Sequence, residues 1–308
     1  MHFTGCATGS SLKSPLNDPY SMSTAAIRQE LDASRKSGPL KTIVIPPCPE
    51  LLTRLQQAMA QAQPDLNEVA RIAASDVAMS ATLLRTANSP VHIADGMPCT
   101  TVGQAMTRIG LKETSAIMTG FLLKNAIPIN SPQLARFWER SAKRAAAMAF
   151  VARQLPGLSV DLAHTYGLFC HVGMPVLLQC VRGYGSTMVE AAARIDRSYI
   201  ATENANHRTD HAVAGALLAR AWHMAPELMA GIRLHHDLLS LGDKIVEPEV
   251  HTLVAAGLIA EHLMRLHEGL PEDADWAAHA PKALEWLSVS LADVEHWDDL
   301  LRPILDDL

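Results

Sequence analysis

Histidine placement is where this chain could hold chemistry. His171 sits in the apolar run "GLFCHVGMPVLLQ", with no charged neighbour for many residues. His207 and His211 are four apart, a spacing that would put both on one helix face. His235 and His236 are adjacent in "IRLHHD". Imidazoles arriving from separate helices can bind a transition metal. The bland alternative is that most of the 14 histidines are surface groups or hydrogen-bonded core groups. Asp237, next to the pair, could orient an imidazole or cap a solvated helix end. Arg35, Lys36, Lys143 and Arg144 read as solvated charges, and the tryptophans as packing residues.

The elements that must position these residues are helical. Hydrophobic residues make up 48% of the 308, aromatics only 5%, with Ala, Leu and Met prominent. That balance favours helices over sheets. Ser23 or Thr24 caps a first helix over "STAAIRQELDASRK". Asp65 precedes "LNEVARIAAS" with Glu68 at capping-box spacing, and Asp76 opens "VAMSATLLRTANS". Thr101 and Gln104 frame "TVGQAMTRIG", with Gly110 as its terminal glycine. Asn88 reads as a helix terminator. "LARFWERSAKRAAAMAFVARQL" is a long amphipathic helix. "VDLAHTYGLFCHVGMPVLLQCV" reads as one nearly all-apolar central helix carrying His171. "DHAVAGALLARAWHM", "PELMAGIRLHHD" and "EVHTLVAAGLIAEHLMRLHEG" follow. Strand alternation is scant, with at most a token strand near "KTIVI". The prediction is all-α.

Composition excludes some functions. The formal net charge of -6 gives no overall basic field for nucleic acid or an anionic membrane. No run approaches the ~20 apolar residues of a membrane span. Five cysteines without a CxxC suit a reducing cytoplasm.

From about Pro46 to Leu263 the chain resembles the HDOD domain, the HD-related output domain of bacterial signalling proteins. The resemblance rests on "IPPCPELLTRLQQA", "LNEVARIAASDVAMSATLLRTANS", "TVGQAMTRIGLKETSAIMTGFLL", "GLFCHVGMPVLLQ", "DHAVAGALLARAW" and "PELMAGIRLHHD", in the family's order. It implies an HD-type helical core packed against an N-terminal helical subdomain. The expected division is a disordered leader over 1–22, the N-terminal subdomain over 23–130, the HD-like subdomain over 131–268 and a helical tail over 269–308.

The catalytic HD relatives use a first His, a His-Asp pair, later histidines and a late Asp. The resemblance places Arg140 at the first His, His171-Val172 at the pair, His211, His235 and His236 at the later histidines, and Gly257 at the late Asp. Both carboxylates are then absent. In a metallo-phosphohydrolase those oxygens neutralise and bridge the ions that generate the attacking hydroxide. The pocket formed by Arg140, His171, His211, His235 and His236 is therefore expected to be vestigial, with no catalytic residue, no metal and no cofactor. Neutral histidines alone could still hold a lone adventitious Zn²⁺ or Ni²⁺. The resemblance implies a non-catalytic, cytoplasmic regulatory domain acting on an unidentified signalling protein. Two alternatives stay open: a nucleotide or anion sensor using Arg140, and a residual metal-dependent phosphodiesterase.

Overall fold

Local capping signals set the helix ends. A computed structural model describes residues 23–37, 39–93, 97–194, 196–306 and 308. The expected leader over 1–22 lies outside the described residues. The first helices are α1 (Thr24–Ser37), α2 (Glu50–Met59), α3 (Leu66–Ala74), α4 (Val77–Ala87), α5 (Val102–Ile109) and α6 (Leu111–Ala126). Next come α7 (Phe137–Gln154), α8 (Val160–Phe169), α9 (Gly173–Cys180), α10 (Tyr184–Ala193) and α11 (Tyr199–His207). The chain continues through α12 (His211–Ala221), α13 (Pro226–Leu234), α14 (Pro248–His267), α15 (Ala274–Leu287) and α16 (Leu291–Asp306). There is no strand among the described residues: a 3₁₀ turn spans Pro39–Thr42, and irregular loop follows to Pro49.

Several caps are those the sequence predicts. Ser23 Oγ accepts from Ala26 N–H, and Asp76 accepts from Ala78 and Met79 N–H. Thr101 and Gln104 form the reciprocal capping box, and Gly110 ends α5 at φ +89°, where glycine carries no Cβ penalty. Asp65 caps α3, but Glu68 does not close a box. It pairs with Arg54 at 2.6 Å and Arg71 at 2.6 Å instead. Asn88 ends α4 and also binds Cys99, accepting its N–H at 2.7 Å and donating to its carbonyl at 3.0 Å. A terminator thus doubles as a clasp on the following loop.

Two expectations about the histidine-bearing segments are corrected. The apolar run around His171 is not one helix: α8 ends at Phe169, a turn follows, and α9 starts at Gly173. Pro175 is the reason. Within a continuous helix its ring would collide with the carbonyl of His171 and its missing N–H would break the ladder. In the first turn of a new helix both objections vanish. His207 and His211 do not share a helix face either. Arg208 ends α11 in the left-handed region at φ 56°, and Asp210 caps α12 through Val213 N–H. His207 turns to Thr187 Oγ1, 2.8 Å away.

The core of the second half is built on α7, α8, α12, α13 and α14, which pack on one another. Nine of the eleven α12 residues are buried. Helices α2 to α6 pack together, and α6 meets α8, where Leu168 lies against Gly120. Helix α1 packs on α12 and α13. Its Ile27 and Leu31 are fully buried, while Glu30 pairs with Arg233 (3.0 Å) and Asp32 with Arg220 (2.7 Å). Trp222 completes the join by donating to Pro46 O.

Candidate functional site: a four-histidine cluster

Three helix ends deliver four imidazoles to one point. His171 occupies the turn before α9, His211 is the first residue of α12, His235 caps the end of α13, and His236 follows it. One ring nitrogen from each lies within 4.8 Å of every other. His211 Nε2 is the centre, 3.1 Å from His171 Nδ1, 3.1 Å from His235 Nε2 and 3.3 Å from His236 Nε2. His211 and His235 are buried, and His171 and His236 are half-buried, so the cluster opens to solvent on one side.

A second layer fixes the rings. His211 Nδ1 lies 2.7 Å from Glu203 Oε2, His236 Nδ1 2.7 Å from Asp275 Oδ2, and His235 Nδ1 2.7 Å from Ile232 O. Carboxylates and carbonyls only accept, so each Nδ1 carries the hydrogen. Glu203 is completely buried on α11; it also accepts from the His211 backbone N–H (3.2 Å) and from the Tyr184 hydroxyl. Burial, Arg144 and the neighbouring imidazoles hold His171 well below the usual imidazole value. Burial, with His236 and His211, does the same to His235. At His236 burial also acts downward, but the hydrogen bond and charge of Asp275 outweigh it and raise the value.

The remaining candidates lie differently. Arg140 is engaged elsewhere, by Glu261 at 3.2 Å and Glu268 at 3.2 Å. Those carboxylates meet the guanidinium on which the anion-sensor alternative relied. One turn further along α7, Arg144 is the arginine whose charge acts on His171. It is not solvated as expected: it is 6% exposed and paired with Glu261 at 3.0 Å. Asp237 orients no ring in the cluster; Glu203 and Asp275 hold that role. Its carboxyl is raised, by burial first, against the pull of Arg233. Val172 is fully buried. Gly257 on α14 faces Tyr166, and a Cβ there would lie 2.9 Å from the ring. Val172 and Gly257, to which the resemblance assigns the oxygen ligands of the HD relatives, are thus closed by hydrocarbon or by an aromatic ring. On that assignment the residues present do not fit a two-metal centre.

Sequence reasoning missed Glu203, Tyr184, Asp275 and Arg144. The available signal was Glu203, eight residues before His211 in an otherwise uncharged stretch of α11. Two surface depressions, of about 360 and 310 Å³, lie at Pro128–Ser131 with Leu178, and at Thr24 with Glu247. Neither is lined by a cluster histidine.

Fold and site together define an all-helical, HD-like protein with an imidazole-only cluster. The HDOD domain model matches residues 45–238, and the chain belongs to that family. It is 22% identical over 221 residues to an uncharacterized protein of Treponema pallidum (strain Nichols), covering 71% of this chain and 42% of that one. Its fold is similar to a protein of Marinobacter aquaeolei VT8 provisionally named for signal transduction. There the TM-score is 0.69 and identity 20%, over 92% of this chain and 64% of the other. It is also similar to a protein of Shewanella amazonensis SB2B provisionally named a phosphohydrolase. That pair gives a TM-score of 0.68 and 20% identity, over 92% of this chain and 95% of the other. The chain spans less than half the length of its Treponema relative and under two thirds of its Marinobacter neighbour. No helix among the described residues is long and apolar enough to cross a membrane.

Proposed function

We propose that this chain is a non-catalytic signal-transduction domain that acts in the cytoplasm by binding one or more signalling proteins. One observation carries the reading. The positions that would supply metal-bridging oxygens hold Val172, buried, and Gly257, roofed by Tyr166. Phosphodiester hydrolysis on an HD scaffold needs carboxylates to assemble two ions and the hydroxide between them. Imidazoles bring no charge to that task. Membership of the HDOD family supports the signalling class, and the net charge of -6 argues against nucleic acid as the partner.

The competing reading is a residual phosphodiesterase, for which the convergence of four histidines speaks. One assay decides between them. Tag-free protein is offered a generic phosphodiester and cyclic dinucleotides with Mn²⁺, Fe²⁺ or Mg²⁺. No turnover above a His171→Ala control is expected. Turnover that this substitution abolishes would overturn the proposal. Capture from the native host, followed by mass spectrometry, would then identify the partner.

A further inference from the structure

The second layer around the histidines fixes more than their orientation. Because His211, His235 and His236 each spend the Nδ1 hydrogen on an acceptor, the Nε2 atoms are the ring positions left free for a ligand. They face one another at 3.1 and 3.3 Å, and His171 Nδ1 joins them at 3.1 Å. One hydrogen on His171 could serve only one of these contacts. Ring nitrogens gathered at such distances call for a cation among them, a metal ion or a proton.

We propose that the cluster is a closed binding site for a single divalent transition-metal ion of the Zn²⁺ class, ligated by His171, His211, His235 and His236. Three features support it independently. The first is size: ligands ~2.0–2.1 Å from a tetrahedral ion lie about 3.3 Å apart, close to the three spacings around His211 Nε2, while the four nitrogens as a set lie within 4.8 Å of one another, so the outer rings draw inward on binding. The second is the outer layer. Metal-bound histidines characteristically donate the other ring N–H to a carboxylate or a carbonyl. Glu203, Asp275 and the Ile232 carbonyl provide that here. The third is the surroundings: the guanidinium groups of Arg144 and Arg140 are taken up by Glu261 and Glu268 rather than placed among the ring nitrogens.

Four imidazoles fill a tetrahedral ion's coordination, leaving no position for water or substrate; closed sites of this kind are structural. The ion would tie the turn before α9 to the start of α12 and the end of α13. It goes beyond the proposed function and does not depend on it: a one-ion, all-imidazole site is compatible with a non-catalytic domain.

The test uses tag-free full-length protein, stripped with a chelator and titrated with Zn²⁺ and, as a spectroscopic probe, Co²⁺. Expected are one equivalent bound per chain, the visible bands of tetrahedral Co²⁺, and a thermal midpoint that rises with free metal. His171→Ala and His236→Ala, at the half-buried positions, each lower the affinity at least tenfold while metal-free circular dichroism stays that of the wild type. Glu203→Gln lowers it by about 10- to 100-fold. Absence of saturable binding overturns the proposal and leaves a proton to bridge the rings. Binding undiminished in both alanine variants also overturns it, since the metal would then be adventitious. Two equivalents per chain, lost together on His171→Ala, overturn the single-ion site; only phosphodiester turnover would overturn the proposed function.

Discussion

Replacing Gly173 by alanine probes the close approach that sets the cluster. An added Cβ would lie 2.0 Å from His211 O, 2.7 Å from Gly215 N and 2.8 Å from His211 C, where ordinary contact starts at 3.4 Å. All three atoms are backbone, so no side chain can swing aside. Helices α9 and α12 must part by about an ångström or more. Overpacking in a tight core costs ~1–3 kcal/mol, and a clash with backbone on every side belongs at or above the upper end. For a chain of this size ~3 kcal/mol corresponds to a drop of about 5 °C in Tm. The histidine spacings should widen as well, because His171 and His211 flank the contact. Urea unfolding followed by circular dichroism measures the loss, and an unchanged m-value shows that the native state alone was affected. Gly257→Ala is the internal comparison. There the added Cβ meets the Tyr166 ring at 2.9 Å, a side chain with some freedom to shift, so the loss should be smaller, about 1–2 kcal/mol. A Gly173→Ala loss below ~1 kcal/mol, or one smaller than that of Gly257→Ala, would refute the reasoning.

Two further predictions concern buried groups. Burial acts upward on Glu261, but the charges of Arg144 and Arg140 outweigh it and hold the carboxyl below its ordinary value. A depressed carboxylate stabilises the fold above the unfolded value of ~4.3, and that contribution is lost as pH falls through the folded value. Glu261→Gln should therefore cost about 3 kcal/mol near neutrality, and its unfolding curve should converge on the wild type as pH falls through the depressed folded value. A pH-independent difference would count against it. Burial pushes the Cys170 thiol up to about 12, so a thiol reagent at pH 8 should label half-buried Cys48 and Cys180 and spare Cys170 until the protein unfolds; peptide mapping of labelled native protein checks this.

What could be read in the sequence was what is decided locally. The Asp76 and Thr101 caps and the Gly110 terminator depend on residues a few positions away. The cluster histidines were accessible through the family pattern. Arg144 and Glu203 were not, because a charged residue's burial is settled by helices far along the chain: Arg144 meets Glu261, 117 residues later. Glu203 is hidden by the packing of α10 and α11 around His211. The break between α8 and α9 is a different failure. Pro175 stood in the sequence as a sufficient signal, and the strength of the apolar pattern obscured it.

Helix α1 raises a question of timing. Its partners Arg220 and Arg233 lie 188 and 203 residues further along the chain. At ~5–20 residues per second of synthesis, about 10–40 s pass between the emergence of α1 and that of its seat. During that interval Ile27 and Leu31, fully buried in the finished protein, lack α12 and α13, and of the native neighbours only the 3₁₀ turn over Pro39–Thr42 is at hand. A helix made early is thus among the last to dock, and closure of so long a loop carries an entropic cost that local contacts do not repay. The newly made chain consequently carries α1 without its seat until α12 and α13 have emerged.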